Sequence, residues 1–141
     1  MEIDQLVQTY LSNEETYESG EIIIEEGTRG DWVYIILEGQ VKVTKRSEAG
    51  IITIDTLKKG DVFGEMILFL KGQAERTASV TATNGAVRVG ALDLQRLLQD
   101  YESISPVLKS LISALIRRLK ETNDRAAALV VAANQKGRGV K

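Results

Sequence analysis

Between Gly20 and Ala91, short runs of Ile, Val and Thr alternate with polar residues, and glycines at 20, 27, 30, 39, 50, 60, 64, 72, 85 and 90 cut them apart. Close-set glycines between β-branched runs predict many short strands joined by tight turns, hence a sandwich, roll or barrel. The runs place strands near 21–25, 33–37, 40–46, 51–57, 78–83 and 86–92, and nothing repeats at the period of a solenoid or propeller. On both sides of this region the period becomes helical. Ile3, Leu6, Val7, Tyr10 and Leu11 predict a short docking helix, and Leu92, Leu94, Leu97 and Leu98 predict another that ends near Tyr101. Ser105 then stands as an N-cap before Pro106, the one proline of the chain, at the first helical position. The helical pattern runs on to about Asn134, a length of ~42 Å.

A helix of that length outruns a small core. Its apolar positions are Leu108, Ile112, Leu115, Leu119, Thr122, Ala126, Leu129 and Ala133, spaced four and three in strict alternation, which is a heptad seam. The seam predicts a parallel homodimer. The alternative is that it packs on its own β domain, which its first half can do and its far half cannot. Residues 1–104 and the helix 105–135 are therefore expected to form one domain, with 136–141 a flexible tail.

Composition narrows the function. A chain of 141 residues is long enough to bury a core without staples. There is no cysteine, which excludes disulfides, iron-sulfur clusters and thiolate zinc, and no histidine, which removes imidazole-held haem, the usual metal sites and histidine acid-base catalysis. No cofactor, no metal and no catalytic machinery are expected. The N-terminus MEIDQLVQTYL carries acids where a signal peptide carries bases, and no apolar run approaches ~18 residues, so a cytoplasmic protein off the membrane is expected. A net charge of −2 with mixed signs gives no footprint for nucleic acid.

The stretch FGEMILFLKGQAERTASV, residues 63–80, sets a carboxylate, Glu65, and a guanidinium, Arg76, at the two ends of an apolar run. A poorly solvated charge costs several kcal/mol unless something satisfies it. Either the two pair with each other across a turn, or they receive a ligand. For a phosphate-bearing ligand, Gly60 and Gly64 would let main-chain amides approach the anion, and Arg76 would offer a bidentate fork. Glu65 would repel a phosphate but accept from a neighbouring sugar hydroxyl. Thr77 adds a hydroxyl beside the phosphate or a base edge, and Ala78 leaves room. Met66, Leu68, Phe69 and Leu70 read as core or lid under either alternative.

The patterns YESGEIIIEEGTRGDWVYIILEGQVKV, KKGDVFGE and ERTASV, in that order, resemble the cyclic-nucleotide-binding domain of catabolite activator proteins, regulatory subunits of cyclic-AMP-dependent kinase and cyclic-nucleotide-gated channels. The likeness covers residues 17 to about 123. It implies a double-stranded, jelly-roll-like β-roll with flanking helices and a phosphate-binding cassette between two strands. Gly20, Gly27, Gly39 and Gly60 fall on the family's turn glycines, and Phe63, Gly64 and Glu65 on its FGE. By that match Glu65 takes the ribose hydroxyl and Arg76 the cyclic phosphate. Ile67 falls where a backbone amide reaches the phosphate and the family commonly has a small residue, and Arg76 stands eleven residues after Glu65, which makes the loop around Lys71 and Gly72 bulge. Thr122 and Asn123 match the place where the activator's long helix touches adenine across the dimer; a seam threonine that only fixes register is the other reading.

The implied function is a stand-alone cyclic AMP or cyclic GMP sensor that signals through its long helix, its dimer and an unknown effector protein. The rival is a β-roll that has lost its ligand and serves as a protein-interaction module. A cupin-like enzyme shares the outline but wants metal-binding histidines.

Overall fold

In the computed structural model, which describes residues 3–28, 30, 32–64, 76 and 78–139, the strand-forming middle of the chain is an antiparallel sheet. Helix α1 (Ile3–Tyr10) leads into β1 (Leu11–Tyr17), β2 (Ile22–Ile24), β3 (Val33–Ser47), β4 (Gly50–Lys58), β5 (Val62–Phe63) and β6 (Ser79–Leu92), followed by α2 (Leu94–Glu102) and α3 (Pro106–Gly139). The strands run in the order β1-β6-β3-β4, with β2 added on β6 and β5 on β3. This is the mainly-β fold with flanking helices that the β-roll expectation described.

Two strands carry the architecture. β3 and β6 pair along nearly their whole lengths, from Val33 opposite Leu92 to Thr44 opposite Ser79. The sequence predicted two short strands in each place, separated at Gly39 and at Gly85. The structure joins them, because the glycines create bulges rather than breaks. Register slips on either side of Glu38, and Gly39 takes a φ of +95° there. A Cβ on Gly39 would lie 2.7 Å from the Ala86 carbonyl oxygen, so the two strands touch through backbone alone.

The first half of β3 is buried on both faces, which is why VYIIL reads as an unbroken apolar run. Tyr34 and Ile36 face an inner cluster with Ile24, Val41, Phe63, Val80, Val87 and Val89. Val33, Ile35 and Leu37 face a second cluster with Leu6 and Leu92, flanked by Leu94 and Leu97 of α2. α1 and α2 thus close one side of the strand while the sheet closes the other.

Strands β1 and β5 are additions to the expected list. β1 is LSNEETY, where only alternate residues reach partial cover against β6, so no hydrophobic run marks it. β5 is two residues long and exists through its pairing with Tyr34 and Ile35. The helix starts fall as expected: Asp93 caps α2 by accepting from the Arg96 amide at 3.2 Å, and Ser105 Oγ accepts from the Leu108 amide at 3.2 Å ahead of Pro106. α3 runs past the end expected near Asn134, so the backbone of 136–139 is helical where a flexible tail was expected. Glycine costs a helix only about 1 kcal/mol, and no proline intervenes before Gly139.

α3 lies against β4. Its partly covered line is Lys109, Ser113, Ile116 and Lys120, continued by Asp124, which pairs with Lys45 of β3 at 3.0 Å. The heptad seam is turned roughly 100° away about the helix axis. Leu108, Leu115, Leu119 and Leu129 on that seam are 50%, 63%, 50% and 71% exposed.

Candidate functional site

The site begins with the register of β5. Phe63 sits opposite Tyr34, their rings stacked at 5.2 Å, and this delivers Gly64 to the start of β3 beside Trp32. Gly64 has a φ of +77°, and a Cβ there would come within 3.0 Å of the Trp32 carbonyl oxygen. Only glycine satisfies both demands.

Arg76 fills the space so left. It is 9% exposed, and it shares with Thr44 the distinction of being a buried polar side chain among the described residues. Its backbone is stitched to the turn that follows β2: the Arg76 amide donates to the Thr28 carbonyl and the Gly27 amide donates to the Arg76 carbonyl, both at 2.8 Å. That fixes the Cα. The side chain then runs inward, Nη1 donating to the Gly64 carbonyl at 3.1 Å and Nη2 to the Trp32 carbonyl at 2.7 Å. Arg76 therefore ties together three segments that are far apart in sequence, its backbone holding Gly27 and Thr28 and its guanidinium holding the entry to β3 and the exit from β5.

Burial pushes the Tyr34 hydroxyl above its ordinary value near 10, Glu15 pushes the same way, and the positive charge of Arg76 opposes them. The guanidinium field thus reaches the inner cluster. Chemically, Arg76 is a cation with five donors, two of them held by main-chain oxygens in an orientation the fold determines. A planar fork so held suits an anion with two oxygens on one edge.

The structure brings Gly64 and Arg76 into direct contact, and Ala78 lies two residues beyond Arg76 at the start of β6. Glu65, Ile67 and Thr77, along with Met66 and Leu68 to Leu70, lie outside the described residues. Thr122 and Asn123 sit on the exposed surface of α3 beside Asp124. Gly60 requires a correction. It was expected to offer a free amide to the anion, but its amide donates to the Ile36 carbonyl at 2.9 Å and nothing approaches its Cβ position within 4 Å. It is a turn glycine whose donor is spent on β3.

Sequence reasoning missed the carbonyls of Trp32 and Gly64 and the part played by Gly30, where a Cβ would lie 3.1 Å from Arg76 Nη2. Backbone oxygens leave no trace in residue identity. Gly30 does leave one, as the second glycine of GTRGD. Among the described residues no group of three or more His, Cys, Asp or Glu could hold a metal, and no helix is long and apolar enough to cross a membrane.

The sequence profile of the cyclic nucleotide-binding domain matches residues 14–103. The chain is 34% identical over 112 residues to the CRP-like cAMP-activated global transcriptional regulator of Mycobacterium tuberculosis, covering 79% of this chain and 49% of the regulator. It is 37% identical over 99 residues to the cGMP-dependent protein kinase egl-4 of Caenorhabditis elegans, covering 67% of this chain and 12% of the kinase. Among solved structures, the cAMP-bound form of the EAL enzyme Bd1971 superposes with a TM-score of 0.73 at 29% identity, covering 89% of this chain and 33% of that one. The chain thus spans half the length, or less, of these relatives.

Proposed function

The chain belongs to the cyclic nucleotide-binding domain family, and on that premise we propose that it is a sensor for cyclic AMP or cyclic GMP whose phosphate is captured by Arg76. The observation that carries this reading is the inward guanidinium, buried at 9% exposure and aimed by two main-chain carbonyls. In the proposed complex Glu65 accepts from the ribose hydroxyl, the backbone at Ile67 and the hydroxyl of Thr77 approach the phosphate, and the small Ala78 leaves space. The ligand is a regulator and the domain a receiver, with no chemistry performed on the nucleotide.

The output runs through α3. Its exposed leucine seam meets the same seam of a second copy, and Thr122 and Asn123 come to the base from the partner copy. Occupancy then biases α3 between arrangements in proportion to the ligand's differential affinity for them. A separate cytoplasmic effector protein reads that change. Relatives whose names carry cAMP and cGMP support the ligand class without choosing within it.

Titration calorimetry with cyclic AMP and cyclic GMP on the wild type and on Arg76→Ala tests the reading. The variant should lose on the order of 2–4 kcal/mol of binding, the worth of a charge-assisted fork in a shielded site. Equal heats from both proteins, or none from either, would refute it. The two carbonyl bonds of Arg76 also favour a second reading, in which the guanidinium serves as a structural tie in a ligand-free interaction module. A ligand at ~100 times its dissociation constant stabilises by ~2.7 kcal/mol, so an unmoved melting curve with both nucleotides selects that second reading.

A further inference from the structure

Two glycines flank the Arg76 guanidinium for different reasons. A Cβ on Gly64 would stand 3.1 Å from Nη1, but its φ of +77° already demands glycine whatever the neighbours. Gly30 is under no such demand. Its φ lies outside the left-handed range, so an L residue can adopt that backbone without strain. What Gly30 lacks is space, and the three nearest atoms to a Cβ there would all belong to one side chain: Arg76 Nη2 at 3.1 Å, Nε at 3.2 Å and Cζ at 3.6 Å.

We infer that Gly30 is a positioning residue for Arg76, its missing side chain forming the floor against which the Nη2–Nε edge of the guanidinium rests. This rests on the reading that Arg76 receives the anion. A methyl group at position 30 would not break the fold, because the atoms it meets are the far end of a flexible side chain. It would lift the guanidinium off its floor and strain the 2.7 Å bond from Nη2 to the Trp32 carbonyl. A bidentate fork depends on the direction of both N–H vectors, so a few tenths of an ångström and a small tilt weaken it. The backbone reason for glycine is absent at this position and the steric reason is specific to one group.

The test is a double-mutant cycle on the full chain, with cyclic AMP and cyclic GMP as probes. Gly30→Ala should weaken binding roughly tenfold while lowering the melting temperature of the nucleotide-free protein less than Arg76→Ala does. In an Arg76→Lys background, whose side chain has no Nη2–Nε edge, Gly30→Ala should add almost nothing. Wild-type affinity in Gly30→Ala, or an equal loss in both backgrounds, overturns the inference. A second measurement needs no ligand. The Arg76 Nε–H resonance, assigned by its disappearance in Arg76→Lys, should shift in Gly30→Ala, and an unmoved resonance overturns the inference. If the wild type binds neither nucleotide, the sensor reading fails while this resonance still decides whether Gly30 positions Arg76.

Discussion

Arg76 does structural work before any ligand arrives. Its guanidinium satisfies the carbonyls of Trp32 and Gly64 from within the protein. Truncating it to alanine removes from both oxygens the donor that Arg76 supplies, and two hydrogen bonds from a charged group so lost cost about 1–3 kcal/mol. Nucleotide-free Arg76→Ala should therefore unfold at lower denaturant than wild type by that amount. Unchanged stability would mean that the carbonyl bonds do not hold in solution, and the calorimetric comparison would then report on ligand contact alone. The importance of this arginine was legible in the sequence, since a guanidinium closing an apolar run needs a partner. The two partners found among the described residues were not, because they are main-chain oxygens brought together by pairing between β3 and β5, and a two-residue strand has no periodicity to read. Gly60 misled for a related reason: a turn glycine and an anion-site glycine look alike until the destination of the amide is known.

Among the elements, α3 shows what hydrophobic spacing can and cannot say. Along the heptad seam Leu108, Leu115, Leu119 and Leu129 are exposed, Leu115 at 63% and Leu119 at 50%, while Ile112 is partly covered. The partly covered line of Ser113, Ile116 and Lys120 was invisible because its residues are mixed in character and form no apolar stripe. The same limit explains β1, whose polar residues are held by ladder bonds to β6, and the two long strands, where glycine reads as a terminator although the structure uses it as a bulge. Two neighbouring substitutions separate the faces of α3. Leu115→Glu should leave the melting temperature nearly unchanged and convert a dimer to a monomer in sedimentation velocity, since a charge on a heptad seam opposes pairing. Ile116→Ala should leave association intact and destabilise the fold by about 1–2 kcal/mol, the share of a half-buried aliphatic side chain. A wild type that sediments as a monomer at high micromolar concentration would end the seam argument.

For the whole molecule, the question is whether α3 belongs to the fold or is carried by it. Both hydrophobic clusters are built from α1, the strands and the edge of α2, and among the described residues neither includes one from α3. What holds α3 down, among the described residues, is its packing on β4 and two ion pairs, Lys45 with Asp124 and Lys109 with Glu102 of α2, both at 3.0 Å, their carboxylates 54% and 55% exposed. An ion pair that open to water contributes at most about 1 kcal/mol, and the partly covered Ile112 and Ile116 add about 2 kcal/mol between them. Together these are a minor part of the ~5–15 kcal/mol that a domain of this size commands. A chain ending at Ile104 should accordingly fold with a single cooperative transition, somewhat below that of the full chain, and keep the Arg76 environment intact. It should also be monomeric, and it should bind nucleotide more weakly if Thr122 and Asn123 of a partner copy complete the site. Undiminished affinity in the monomeric truncation would confine recognition to the sheet and leave α3 as output alone. Loss of cooperative folding would show that α3 is part of the core and is not free to move when the site is occupied.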